Sequence, residues 1–164
     1  IGEFPGAEQV KYNEGIFVGY RYFVSYDVEP QFAFGHGISY TEFKYDDINV
    51  DVIEENDNLN VKVSFKLSNI GSRKGAEVAQ IYINDIEASL RRPILELKGF
   101  EKVSLLPGET KEISINLDKK AFAFYSEDEK AWIVEPGKFN ILVGSSCVKI
   151  NLEESINIQS KYKF

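Results

Sequence analysis

Apolar and polar residues alternate along much of the chain after residue 48. In the segment 59–67, every second residue is apolar: Leu59, Val61, Val63, Phe65 and Leu67. A period of two residues is typical of a β-strand with one buried and one solvent-exposed face. The same alternation recurs at 111–118, 138–144 and 148–152. We therefore predict amphipathic β-strands in these segments.

Short polar stretches separate the strands. They are rich in Gly, Pro, Asn, Asp and Glu, and they occur at 54–58, 69–75, 106–110, 126–130 and 135–138. The sequences "LPGE" and "EPGK" place Pro and then Gly at the centre of a four-residue turn, as a type II turn requires. About seven strands, with a turn every 8–12 residues or so, predict an all-β fold. The expected architecture is a two-sheet antiparallel β-sandwich, and no convincing amphipathic helix follows residue 45.

The first 44 residues are rich in Gly and aromatic residues and show no sustained period. Nine aromatic residues lie between Tyr20 and Tyr45, together with the only histidine of the protein, His36, which stands between two glycines. We predict a Gly/aromatic-rich linker segment in residues 1–44 and the β-sandwich domain in residues 45–164.

The composition fits a globular domain of ordinary size, since 43% of the 164 residues are hydrophobic and 27% are charged. The net charge of −7 argues against nucleic acid and anionic membrane surfaces as partners. No apolar run approaches the roughly 18–20 residues of a membrane helix. The single cysteine, Cys147, excludes an internal disulfide. The absence of methionine, even at position 1, suggests a fragment or a processed product.

Several carboxylate pairs are candidates for acid–base chemistry. A retaining glycosidase needs two carboxyl groups about 5–5.5 Å apart, one of them with a raised pKa. The pairs are Asp46/Asp47, Glu54/Glu55, Asp85/Glu87, the acids at 127–129 and Glu153/Glu154. Most of them fall in polar turns, where acidic side chains cap and solvate the chain, so a structural role is favoured.

His36 and Cys147 are the other candidates for catalysis. A histidine base needs an orienting partner and a nucleophile, and the chain has no "GxSxG" motif. One His and one Cys also supply no metal-ligand cluster. We therefore predict structural roles for both residues, no metal site and no cofactor.

Exposed aromatic side chains form a third kind of candidate, because a ring face can stack on a sugar. The candidates are Phe122, Phe124, Tyr125 and Trp132. The alternation in "AFAFYS" favours burial of Phe122 and Phe124 in the core. Trp132 remains open between the core and a sugar platform.

Five motifs in chain order resemble family-three glycoside hydrolases. They are "YNEGIFVGYRYF" (12–23), "EPQFAFGHGISYTEFKY" (29–45), "VSFKLSNIGSRKGAEVAQIYI" (63–83), "RRPILELKGFEKVSLLPGETKEISINLD" (91–118) and "WIVEPGKFNILVGSSCVKINL" (132–152). The first two resemble the end of the α/β-sandwich domain of that family, and the other three resemble its fibronectin type III-like domain. The resemblance implies the C-terminal part of a retaining glycosidase, with a β-glucosidase as the leading interpretation.

The same resemblance implies that the catalytic residues lie elsewhere. In this family the nucleophilic Asp sits on a barrel domain and the acid/base Glu lies upstream of "VGYRYF", so no residue of this chain is assigned a catalytic role, including Glu14. The implied partners are the catalytic barrel and α/β-sandwich domains of the parent enzyme. The expected packing residues of the joint between these units are Tyr20, Tyr22, Phe23, Phe32, Phe34, Tyr40 and Phe43. The alternatives are a carbohydrate-binding module and a protein-interaction module.

Overall fold

The computed structural model describes Val10 and residues 12–164. The two helices are α1 (Tyr20–Ser25) and α2 (Lys119–Phe122). The strands are β1 (Phe43–Glu55), β2 (Asn58–Asn69), β3 (Gly75–Asp85), β4 (Glu96–Leu105), β5 (Thr110–Asp118), β6 (Phe124–Ser126), β7 (Ala131–Val134), β8 (Gly137–Gly144), β9 (Ile150–Ile158) and β10 (Tyr162–Lys163).

The strands form antiparallel sheets in the order β1-β2-β5 and β4-β3-β8-β9. These two sheets face each other across one hydrophobic core, which confirms the predicted all-β sandwich. A small third sheet, β10-β7-β6, lies beside them and contributes Val134 and Tyr162 to the same core.

The alternating pattern of β2 is reproduced in its burial. All five apolar residues of the segment 59–67 are buried, whereas Asn60, Lys62 and Lys66 are exposed. Ser64 departs from the pattern, because it is buried and its hydroxyl lies 2.9 Å from that of Ser114 on β5. The facing sheet supplies Ile81, Phe139 and Ile141 to the core, among others.

The two Pro-Gly turns differ from each other. In the first, Glu109 N–H donates to the Leu106 carbonyl over 3.0 Å and Gly108 has φ +74°, as expected for a type II turn. In the second, Gly137 has φ +151°, which does not match the value near +80° that a type II turn needs. The type II prediction for residues 135–138 was therefore wrong. The Lys138 N–H of this turn instead donates to Glu87 Oε2.

A buried ion-pair group joins the β3 end, the following loop and β4. The side chain of Arg92 is 6% exposed and lies 2.9 Å from Asp85 Oδ2 and 2.8 Å from Glu96 Oε2. Arg92 also donates to the carbonyl of Phe122 at the end of α2. This side chain therefore ties the loop between β3 and β4, and the end of α2, to the paired strands β3 and β4.

A second, smaller core lies on the outer face of the β4-β3-β8-β9 sheet. It contains the buried residues Tyr82, Leu95 and Cys147. Tyr20 and Val24 of α1 pack against it. The N-terminal segment (residues 12–42) is thus held on the sheet face that points away from the main core.

Candidate functional site

The N-terminal segment is anchored through Tyr20. The backbone N–H of Leu97 donates to the Tyr20 hydroxyl over 2.8 Å. The Tyr20 ring stacks on Phe34 with centroids 4.7 Å apart and meets the Tyr82 ring edge-on at 6.1 Å. Further along the sheet, Cys147 N–H donates to the Phe34 carbonyl. These contacts fix the inner side of the segment on the sandwich.

A second set of contacts involves the loop between β3 and β4. The guanidinium carbon of Arg91 lies 4.7 Å from the Tyr26 ring centroid and 5.0 Å from that of Phe17. The backbone N–H of Ile94 donates to the Ser25 hydroxyl over 3.2 Å. Cation–π contacts at exposed sites contribute about 0.5–1 kcal/mol, so this attachment is weaker than the Tyr20 anchor.

The outer side of the N-terminal segment is unusually apolar and exposed. Ile38 is 90% exposed and Tyr40 is 87% exposed. Other exposed apolar side chains of the segment are Tyr12, Ile16, Val18, Tyr22, Tyr26, Val28, Phe32 and Phe34. Concentrations of apolar surface of this kind mark interaction sites in soluble proteins.

The seven residues expected to pack in the joint divide into two groups. Tyr20, Phe23 and Phe43 are partly buried within this chain. The other four, Tyr22, Phe32, Phe34 and Tyr40, are exposed. The sequence pattern had not distinguished these groups, because both have the same residue types and lie in the same aperiodic stretch.

His36 and Cys147 lie in different environments. The exposed His36 ring lies 5.4 Å from Phe32 and forms no side-chain hydrogen bond within the described part of the chain. Cys147 is buried in the smaller core, and burial raises the pKa of its thiol. Among Val10 and residues 12–164, no group of three His, Cys, Asp or Glu side chains could hold a metal ion. None of the helices there is long and apolar enough to cross a membrane.

Two of the acidic candidates act as structural anchors. Glu54 accepts hydrogen bonds from Gln159 N–H at 2.8 Å, Ser160 N–H at 3.0 Å and the Tyr162 hydroxyl at 2.9 Å. Burial opposes ionisation of Glu54, but these donors outweigh it and lower the pKa of the carboxyl. Asp85 is the partner of Arg92, and burial raises its pKa against the pull of that guanidinium.

The four aromatic candidates also differ in their burial. Phe122 is buried in the core, and Phe124 is partly buried, with the Arg92 guanidinium 5.7 Å from its ring centroid. Tyr125 and Trp132 form an edge-on pair at 5.7 Å, and each is 49% exposed. Because Tyr125 and Trp132 are paired in register on neighbouring strands, their rings share one face of the small sheet.

A cleft of about 800 Å³ lies between residues 35–41, which we call the strap, and the sandwich. Its lining includes Tyr45, Glu77, Ser146 and Lys149. The Tyr45 hydroxyl donates to Glu77 Oε1 over 3.1 Å. Burial raises the pKa of Glu77, whereas the Tyr45 hydrogen bond and the charge of Lys149 oppose that rise. Sequence reasoning did not identify this cleft, because its residues come from four separate segments.

Comparison with known domains identifies the class of the sandwich. Residues 77–147 match the model of the fibronectin type III-like domain. The antiparallel architecture described above agrees with this match, and the chain therefore contains a fibronectin type III-like β-sandwich.

Whole-chain comparisons find related proteins. The chain is 50% identical over 161 residues to thermostable β-glucosidase B of Acetivibrio thermocellus, covering 98% of this chain and 21% of that protein. It is 40% identical over 144 residues to β-glucosidase BoGH3A of Bacteroides ovatus, covering 87% of this chain and 19% of that protein. The chain thus spans about a fifth of the length of these curated relatives.

Solved structures give the same result. β-Glucosidase 3B of Thermotoga neapolitana, in complex with α-D-glucose, superposes with a TM-score of 0.89 at 35% identity over 98% of this chain and 22% of that one. The GH3 β-glucosidase of Bifidobacterium adolescentis superposes with a TM-score of 0.90 at 39% identity, and the match covers 95% of this chain and 23% of that one. The chain is homologous to the C-terminal part of β-glucosidases of glycoside hydrolase family three, which confirms the resemblance seen in its motifs.

Proposed function

We propose that this chain is the C-terminal accessory part of a retaining β-glucosidase that hydrolyses terminal non-reducing β-D-glucosyl residues. In this proposal, residues 45–164 form the accessory domain, and residues 1–44 are the end of the α/β-sandwich domain with its linker. The chain carries no catalytic residue itself and braces the barrel and α/β-sandwich domains of its parent enzyme. The observation that carries the proposal is the exposed apolar side of the N-terminal segment. It occurs in a chain that spans only about a fifth of the length of its relatives.

Two polar atoms bear on an interface at this segment. Glu14 Oε2 and Arg21 Nε are buried and have no hydrogen-bond partner within the described part of the chain. Buried polar groups are normally satisfied, and leaving one unpaired costs about 1–3 kcal/mol. Both atoms belong to the N-terminal segment, and because they are already enclosed by this chain, packing against additional protein would satisfy them only if the segment rearranges.

The first experiment measures activity. The isolated 164-residue chain is assayed with a chromogenic β-glucoside beside the longer protein that contains it. We expect turnover by the longer protein and none by the isolated chain. Turnover by the isolated chain, or a longer protein inactive on every β-glycoside tested, would contradict the proposal.

The second experiment tests the bracing role with a matched pair of variants. Ile38→Asp places a charge on the exposed strap, and Ile53→Asp does the same on β1, where Ile53 is 51% exposed. In the longer protein, Ile38→Asp should lower the melting temperature and Ile53→Asp should change it little. In the isolated chain Ile38→Asp should be nearly neutral, because the Ile38 side chain already faces solvent, whereas Ile53→Asp should carry the same modest cost of a strand aspartate in both proteins. Equal effects of the two variants in the longer protein would refute a docking role for the strap.

A second candidate function is a non-catalytic carbohydrate-binding module. The half-exposed Tyr125–Trp132 pair favours it, because aromatic rings on a sheet face can stack on a pyranose. Tyr82 on β3, by contrast, is fully buried and unavailable for stacking. Calorimetric titration with cello-oligosaccharides should detect binding that Trp132→Ala abolishes, and no heat of binding would exclude this function.

A further inference from the structure

The strap is held at both ends, so the cleft beneath it is preformed. At one end, Gly35 has φ +84°, and a Cβ there would lie 2.6 Å from Gln80 Nε2. At the other end, the Thr41 hydroxyl donates to Asn69 Oδ1 over 2.6 Å, and Ile70 N–H donates to the Glu42 carbonyl. The residues between these points are exposed on their outer side and line the cleft on the other.

The cleft presents both hydrogen-bond acceptors and donors. Tyr45 occupies one oxygen of the Glu77 carboxylate, and Oε2 forms no hydrogen bond with the described residues. The Lys149 ammonium is likewise without a hydrogen bond or ion pair there, although its charge acts on Glu77. Ser146 lies on the same wall of the cleft, and its hydroxyl accepts from Lys149 N–H. The polar groups without a hydrogen bond in the described chain are therefore Glu77 Oε2 and the Lys149 ammonium, together with the side chains of Glu42 and His36, which also line the cleft.

The charges and shape of the lining restrict the ligand. Two carboxylates, Glu42 and Glu77, line the cleft together with one ammonium group, Lys149, and the His36 imidazole, so an anionic ligand such as a phosphate or a carboxylate is disfavoured while the imidazole is neutral. The remaining walls are aliphatic at Ile70 and Val148. A ligand with hydroxyl groups that both donate and accept, and with an apolar C–H face, satisfies both kinds of wall. That combination describes a neutral saccharide.

We propose that the cleft between the strap and strands β1 and β3 is a non-catalytic site for a neutral mono- or disaccharide. The Glu77 carboxylate accepts a hydrogen bond from a sugar hydroxyl, Lys149 donates to another, and Val148 contacts the C–H face. Glucose and cellobiose are the appropriate probes, and this choice of sugar rests on the proposed β-glucosidase origin of the chain. The site itself does not depend on catalysis.

The test is an NMR titration of the isotope-labelled 164-residue chain with glucose and with cellobiose. We expect chemical-shift changes in the strap and around Glu77 and Lys149. Glu77→Gln removes the charge and should weaken binding roughly tenfold, as expected for loss of one charge-assisted hydrogen bond. The control Glu127→Gln makes the same chemical change in the exposed turn between β6 and β7 and should leave the affinity unchanged.

A second variant separates binding from folding. Val148→Trp enlarges an exposed side chain at the cleft wall, so it should block the site while the backbone spectrum outside the cleft stays unchanged. The proposal is overturned if no shifts appear at a large molar excess of either sugar, or if they map to Tyr125 and Trp132 instead. Neither result affects the activity comparison of the isolated and longer proteins. The saccharide site and the proposed β-glucosidase origin can therefore be refuted independently.

Discussion

Replacing Arg92 by methionine is the most informative single perturbation of the sandwich. Methionine keeps much of the length and apolar bulk of the arginine stem, but it removes the guanidinium. The substitution leaves Asp85 and Glu96 without the partner that lies 2.9 and 2.8 Å from them. It also removes the donor to the Phe122 carbonyl. Only Glu96 keeps another cation, since Lys98 lies 3.4 Å away.

The expected loss of stability follows from this geometry. Removing one partner of a buried ion pair costs about 3–5 kcal/mol, because an uncompensated buried charge remains. Arg92 and Asp85 are almost fully buried side chains, so the full range applies. In a domain of this size each kcal/mol lowers the melting temperature by roughly 2–4 °C. We therefore expect Arg92→Met to lower it by about 10 °C.

Urea unfolding followed by fluorescence measures this effect directly. Trp132 is the only tryptophan and lies on β7, so it reports on the sandwich without labelling. Arg91→Met is the matched control, because Arg91 is exposed and its guanidinium forms cation–π contacts with Phe17 and Tyr26 but no hydrogen bond or ion pair in the described chain. Its expected cost is about 0.5–1 kcal/mol.

The pH dependence of the stability loss is an independent check on the buried-charge explanation. Burial already raises the pKa of Asp85, and loss of Arg92 raises it further. An acid with a raised folded-state pKa stabilises the fold less as the pH rises, so Arg92→Met should cost less at acidic than at neutral pH. Equal losses for Arg91→Met and Arg92→Met, or a loss for Arg92→Met that does not change with pH, would refute the buried-charge explanation.

Two further predictions concern the anchors of β1 and of the strap. Glu54→Gln should lower the free energy of unfolding by about 1.5–3 kcal/mol at neutral pH, because three hydrogen bonds to a charged acceptor are weakened. The pKa of Glu54 is lowered in the folded protein, so its contribution is complete above the ordinary glutamate pKa of 4.5 and is lost as the pH falls through the folded-state pKa. Unfolding curves of both proteins across this range should therefore converge in acid; a constant difference would contradict the role of the charge. Gly35→Ala should destabilise the chain by about 1–2 kcal/mol, because alanine disfavours positive φ and its Cβ would collide with Gln80. Gly37→Ala is its control, since that position has open space and no positive φ, and similar losses in melting temperature would refute the close-packing argument.

The main sandwich could be predicted from the sequence because its strands are long and amphipathic. β2 illustrates this, since each of its apolar positions between Leu59 and Leu67 is buried. The small third sheet lay beyond this reasoning, because β6 has three residues and β10 has two, too few to show a period. The conformation of the 135–138 turn also depends on a distant residue, Glu87, which local turn chemistry does not include.

The candidate site was less accessible to sequence reasoning than the fold. The aromatic segment was predicted to be a joint, but exposure separates Tyr40 from Tyr20 only once the segment lies on the sheet. The anchor role of Glu54 depends on residues more than a hundred positions away along the chain. The cleft depends on Tyr45, Glu77 and Lys149 meeting through the sheet register, and no local motif encodes that proximity.

The Glu54 anchor also bears on when the chain can fold during synthesis. Glu54 is the penultimate residue of β1, and its partners Gln159 and Tyr162 lie 105 and 108 residues later. Contacts this distant in sequence slow folding, because a long loop must close before they contribute any stability. The end of β1 therefore stays unclamped on the ribosome until nearly all of these 164 residues have been translated. Until then the long hairpin of β1 and β2 presents its apolar face to the cell, and chaperone binding during that interval is an expected consequence.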